Sequence, residues 1–197
     1  MKPVVVGIAG GSAAGKSSFT AALGQALEAS APPVTVRQFM LDKYFYRGAA
    51  GGPRFVSPSS GEEMPDNNHP DSADNRRLVQ DLDEVTSALD APDVVLLEGL
   101  MVLHVDAIRQ RLDLRLFVEL DADERALRRM LRDMSGVRGN TDPQFISTYY
   151  RECARVGHAR YVEPSRVHAD LIIRGDSSFA RTAPLVAAAI RALVAGR

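Results

Sequence analysis

Gly10-x-x-x-x-Gly15-Lys16-Ser17 is the spacing in this sequence most suited to chemistry. It follows the apolar run "VVVGIA" and precedes Phe19, Leu23 and Leu27, which repeat every fourth residue. Glycines at these positions let backbone N–H groups turn inward around a polyphosphate, and a helix starting there adds its positive end. In this reading Gly10, Gly11, Ser12, Ala13, Ala14, Gly15 and Ser18 wrap the phosphates of ATP. Lys16 reaches the β- and γ-phosphates, and the Ser17 hydroxyl binds Mg²⁺. A chance match in a flexible turn needs four fixed positions to coincide, in under roughly one chain in a hundred of this length. The strand and helix around the motif are the context that a phosphate-binding P-loop requires.

Two acids stand at the ends of other strand-like runs: Asp42 after "VTVRQFML", and Glu98 closing "DVVLLE". In parallel α/β sheets the ligand crevice lies at the carboxyl ends of the strands, so both should meet the P-loop at one rim. Phosphoryl transfer needs little beyond positioning, a metal clamp and a carboxylate to take the acceptor's proton. Asp42 suits the base, in contact with the acceptor, and Glu98 the metal or its water shell; a capping or loop acid is the plainer alternative for each. The segment "ADERALRRMLRDM" places Arg125, Arg128, Arg129 and Arg132 within an arc of about 100° on a helix. Leu127, Met130, Leu131 and Met134 cover the other side. A solvated charged face is the ordinary reading. Its position after the fourth strand suits a lid, where arginine forks meet charge developing on a transferring phosphoryl group. Arg138 in "GVRGN" is a further candidate, and no Asn-Lys-x-Asp guanine reader occurs.

The elements that must position these groups are legible as alternating β and α patterns. Residues 3–9, 34–39, 93–99, 114–120 and 169–175 read as strands. Most are apolar nearly throughout, the pattern of strands covered on both faces. Helices are expected after Ser17, after Ala73 (Leu78, Leu82, Val85, Leu89), at Asp121 and Asp142 as caps, and from near Pro184 (Val186, Ile190, Leu193). Residues 46–72 read as one long irregular segment. The expectation is a three-layer α/β fold of the P-loop NTPase type, a mostly parallel sheet of about five strands with a helical lid.

With 197 residues, 45% of them hydrophobic, the chain suffices for one domain, residues 1–197, with the lid at about 122–142. A net charge of −1 argues against nucleic acid as partner, and the single Cys153 suits a reducing compartment. The start lacks a signal-like apolar core and no run approaches a membrane span, so the expected location is cytoplasmic, with homo-oligomerisation left open.

With these motifs in order, the sequence resembles the uridine kinase and phosphoribulokinase family of P-loop kinases, from the P-loop to about Gly175. "LDKYF" sits where that family has Asp-Ser-Phe-Tyr, which implies a base role for Asp42 and an acceptor contact for Phe45. "NNHPDSAD" is similar to the acceptor-site stretch, which brings in Asn68 and His69 as substrate-binding positions, with Asp66 or Asp71 as substitute acids. "VVLLEGLMVLH" resembles the strand whose glutamate serves magnesium, here Glu98. "ELDADERALRRMLRD" looks like the lid helix, which implies phosphate contacts for Arg129 and Arg132, and Arg138-Gly139-Asn140 stands where the family has Arg-Gly-Arg. One departure is large. Only 23 residues separate Asp74 from Glu98, with no room for the hairpin by which uridine kinases read the pyrimidine.

The expected function is therefore an ATP-dependent kinase that transfers the γ-phosphate to a hydroxyl of a nucleoside-like acceptor, uridine or cytidine first. A kinase of nicotinamide riboside, pantothenate or a sugar is the alternative enzyme, and a non-catalytic ATP-binding regulator the alternative class.

Overall fold

Alternation along β1 (Val4–Gly10) assigns the layers. Val4, Val6 and Ile8 face one hydrophobic cluster, while Val5 and Ala9 face another. In the computed structural model, which describes residues 2–46, 51–137 and 139–197, β1 is the central strand of a five-stranded sheet. The order is β2 (Val36–Met40), β5 (Val94–Glu98), β1, β6 (Leu114–Glu119), β7 (Leu171–Arg174). Every pairing in this sheet is parallel, with Val5 beside Val95 and Ile8 beside Leu116. β5 repeats the division, Val94 and Leu96 to one side, Val95 and Leu97 to the other. Side chains of a strand point alternately to opposite faces, so a strand buried on both must be apolar at every position.

The first layer is α1 (Lys16–Glu28), whose Phe19, Leu23 and Leu27 are fully buried, and α8 (Phe179–Ala195). The second contains α2 (Asn75–Ser87), α3 (Asp106–Arg109) and Tyr161 and Val162 of a long helical run. That run comprises α5 (Pro143–Tyr149), a π-type stretch (Tyr150–Ala154), α6 (Arg155–Gly157), a second π-type stretch (His158–Val162) and α7 (Glu163–Ser165). α4 (Ala122–Met134) follows β6 and overhangs the carboxyl ends of the strands. The sheet between two helical layers is the expected α/β P-loop arrangement. Among the described residues, no helix is long and apolar enough to cross a membrane.

Three local expectations are corrected. α8 begins at Phe179 and carries Pro184 in its second turn. The Phe179 ring packs edge-on against Phe19, with centroids 5.4 Å apart, and Ala183 is buried, so packing carries the helix across the proline. Leu193 and Leu89 are exposed; α2 has ended at Ser87 before Leu89 is reached. Within residues 46–72, β3 (Arg54–Val56) and β4 (Glu63–Pro65) form an antiparallel hairpin closed by an Arg54–Glu63 ion pair at 2.9 Å. Three-residue strands are too short to show a period in sequence.

Candidate active site

The phosphate-binding loop owes its shape to three left-handed residues. Gly10, Ala13 and Gly15 have φ of 140°, 63° and 102°, so the chain doubles back between β1 and α1. Only glycine adopts such angles freely. The loop and the carboxyl ends of β2 and β5 enclose a cavity of about 740 Å³. Ser12, Ala13, Gly15, Lys16, Ser17 and Ser18 line it, whereas Gly10, Gly11 and Ala14 do not. A Cβ at Gly11 would lie 2.7 Å from the Arg125 guanidinium, so the bare backbone there also admits a packed arginine.

At the rim, Ser17 Oγ donates to Glu98 Oε1 at 2.9 Å. The other carboxylate oxygen, Oε2, is buried without a hydrogen-bond partner. Burial raises the Glu98 carboxyl above its ordinary range, opposed by the Ser17 hydrogen bond and by Lys16. Lys16 Nζ donates to the Gly11 carbonyl at 2.8 Å. Burial pushes its ammonium down to about 8, against the attraction of Glu98 and Asp42. Asp42 lies in the single 3₁₀ turn (Leu41–Tyr44) that follows β2, anchored by the buried Leu41, and it lines the same cavity with Phe45. The P-loop, Asp42 and Glu98, distant in sequence, therefore share one space.

α4 reverses the usual amphipathic rule. Leu127 and Leu131 are 63% and 72% exposed, while Arg128, Arg129 and Arg132 line the cavity. On the inward face the arginines are compensated by carboxylate, hydroxyl and carbonyl partners, and the leucines are left outside. Arg129 Nη1 donates to Ser12 Oγ at 3.2 Å, and Arg128 Nη1 to the Gly175 carbonyl at 3.0 Å. Arg125 stands apart from its row: it is 7% exposed, donates Nε to the Leu120 carbonyl and braces Gly11. Arg138 lies outside the described residues.

The acceptor-side expectations for Asn68 and His69 are not met by the geometry. Asn68 is buried away from the cavity, its Nδ2 donating to Cys153 Sγ at 3.3 Å. His69 packs edge-on to Tyr161 with Nδ1 3.7 Å from Asp71. Asp66 is taken up by the Asn68 N–H and the Cys153 thiol, and Asp71 points to solvent. The neighbouring Asn67 lines the cavity instead, with Pro65, Asn140, Phe145, Ile146 and Tyr149. Phe145 and Tyr149 are stacked at 6.2 Å, and the Tyr149 hydroxyl accepts from the Asn67 N–H and donates to the Pro65 carbonyl. These residues carry no spacing that sequence inspection could catch, because β4 and α5 meet only in the folded chain. Asp133 was also missed, although it lies four residues after Arg129 on the same helix face.

Known proteins resemble this chain along most of its length. The sequence profile of the Phosphoribulokinase / Uridine kinase family matches residues 63–178. A uridine kinase of Bacillus licheniformis is 32% identical over 87% of this chain and 86% of its own length. One of Staphylococcus epidermidis is 30% identical over 86% of each. A solved structure described as a "Possible Uridine Kinase" from Bacillus stearothermophilus superposes with a TM-score of 0.60 over 88% of this chain and 89% of its own, at 15% identity.

Proposed function

The chain belongs to the Phosphoribulokinase / Uridine kinase family, and from that premise we propose that it phosphorylates a hydroxyl of a nucleoside-like acceptor, uridine or cytidine first, at the expense of ATP. The observation that carries this reading is the convergence of Lys16, Asp42, Glu98 and three lid arginines on one cavity.

The backbone N–H groups of the P-loop and the start of α1 receive the triphosphate, and Lys16 moves its ammonium from the Gly11 carbonyl onto the β- and γ-phosphates. The Glu98 Oε2, buried without a hydrogen-bond partner beside the Ser17 hydroxyl, fits a divalent cation. Mg²⁺ bound there would neutralise charge on the phosphate oxygens. Asp42 accepts the proton of the acceptor hydroxyl as the oxygen attacks the γ-phosphorus in line. Arg129 and Arg132 place guanidinium groups where negative charge spreads over the transferring group. Phe45 and the Phe145–Tyr149 stack give the acceptor an apolar wall, and the Asn67 and Asn140 carboxamides offer it donors and acceptors. α4 and the turn after it act as a lid that excludes water from the transfer.

One observation favours a second reading. Between Asp74 and Glu98 the chain forms only α2 and β5, with no further segment to read a pyrimidine ring. Nicotinamide riboside, pantothenate or a sugar is the acceptor in that case. A panel of nucleosides and these alternatives, assayed with Mg-ATP, separates the two. Asp42→Asn should lower turnover on the preferred acceptor by about 10²- to 10⁴-fold with ATP affinity nearly unchanged. Absence of phosphorylation across the panel, with ATP still bound, would point to an ATP-binding regulator.

A further inference from the structure

Asp133 places a carboxylate in a cavity otherwise arranged for polyphosphate. It is 5% exposed, lies on the inward face of α4 and lines the cavity. Its Oδ1 accepts from Arg132 Nε at 2.8 Å and lies 2.7 Å from Nη2 of the same guanidinium. Its Oδ2 lies 3.3 Å from Arg129 Nε. Arg129 in turn reaches the P-loop through Ser12 Oγ. A chain of contacts thus runs Ser12, Arg129, Asp133, Arg132, joining the phosphate loop to the lid helix.

A negative charge at this place opposes binding of a triphosphate. A helix cap does not account for it, because Asp133 lies in the last turn of α4, where the helix dipole disfavours acids. Two unneutralised arginines side by side, on the other hand, would repel and splay their forks. A carboxylate matches the planar fork of a guanidinium as a phosphate does, so it can hold both arginines in a phosphate-ready aim while the site is empty.

We propose that Asp133 is a positioning residue that stands in for phosphate in the empty site, keeping Arg129 and Arg132 aimed and, by its charge, limiting how tightly nucleotide is held. The proposal rests on the reading of this cavity as the polyphosphate site. The charge that pre-aims the arginines weakens the complex they form, which favours release of the product nucleotide.

The test is the affinity of a non-hydrolysable ATP analogue and of inorganic tripolyphosphate for the wild-type protein, Asp133→Asn and Asp133→Glu, alongside steady-state turnover. Removing one unit of negative charge at this range should tighten both ligands by about three- to tenfold in Asp133→Asn. The KM for ATP and kcat should fall together, while Asp133→Glu should stay near wild type. A merely structural role predicts the reverse: weaker binding and a raised KM. Unchanged or weakened binding in a folded Asp133→Asn overturns the proposal. If that variant does not fold, Asp133→Ser carries the same expectation, and failure of both to fold overturns it too by making Asp133 a structural residue. Failure of the wild-type protein to bind either ligand would instead overturn the reading of the cavity.

Discussion

Ser17 and Glu98, 81 positions apart in the chain, are joined by a 2.9 Å hydrogen bond from hydroxyl to carboxylate. The bond links the first turn of α1 to the end of β5 and leaves Glu98 Oε2 buried and unpartnered. Burying that carboxylate costs desolvation that Ser17 and Lys16 offset only in part.

Glu98→Gln should therefore separate stability from activity. Burial raises the folded pKa of Glu98 above its unfolded value, so the folded state takes up protons more readily, and ionised Glu98 weakens the metal-free fold at neutral pH. The metal-free variant should melt no lower than wild type near pH 7, while its Mg²⁺ requirement in turnover rises by about ten- to a hundredfold. Thermal melts with and without Mg-ATP, paired with a magnesium titration, check both arms. A lower melting point with an unchanged magnesium requirement would make Glu98 a structural acid.

Lys16 should set a pH limit on nucleotide binding. In the empty site its pKa is lowered to about 8 by burial, and phosphates nearby raise it again. Only the protonated form suits the phosphates, so ATP affinity should be level below pH 8 and fall as pH rises through it, approaching about tenfold per unit. Titration with a fluorescent ATP analogue at pH 7, 8 and 9 measures the slope. Lys16→Met should bind weakly with a flat profile. A level wild-type profile up to pH 9 counts against the assignment.

Asn67 and Asn68 should differ sharply despite being neighbours. Asn67 lines the cavity, whereas Asn68 is buried against Cys153. Asn67→Ala should raise the acceptor KM severalfold without lowering the melting temperature. Asn68→Ala should destabilise the fold by about 1–3 kcal/mol, since it opens space and strips the buried Cys153 of a donor. Denaturant unfolding and acceptor kinetics on both variants decide the matter, and a kinetic effect confined to Asn68→Ala would reverse the assignment.

How much of this was open to inspection depended on how local the information was. The Gly10–Ser17 loop was legible because its requirements, bare backbone followed by a helix start, lie within eight consecutive positions. The central strands β1 and β5 were legible because burial on both faces demands uninterrupted apolar runs, while the edge strands β2 and β7, partly exposed, were legible from their β-branched residues. Glu98 could be named because it closes a strand and Asp42 because it directly follows one, and every parallel strand ends at the same rim.

Other features had no local signature. Asn67 rather than Asn68 faces the cavity because α6 packs so tightly that a Cβ at Gly157 would strike the Asn68 Cβ, and nothing within "NNHPDS" encodes that. The start of α8 depends on Phe179 meeting Phe19, a contact spanning most of the chain. The pattern of α4 showed a charged side and an apolar side, but the inward direction was decided by the cavity that β6 delivers it to. Asp133 was hidden for the same reason: beside arginines in a sequence an aspartate is one more surface charge, and only the fold buries it against Arg129 and Arg132 at the cavity. Spacing along the chain determined which groups this protein carries, while the tertiary structure decided which of them share a solvent-poor space, because a side chain's neighbours across the cavity come from other elements.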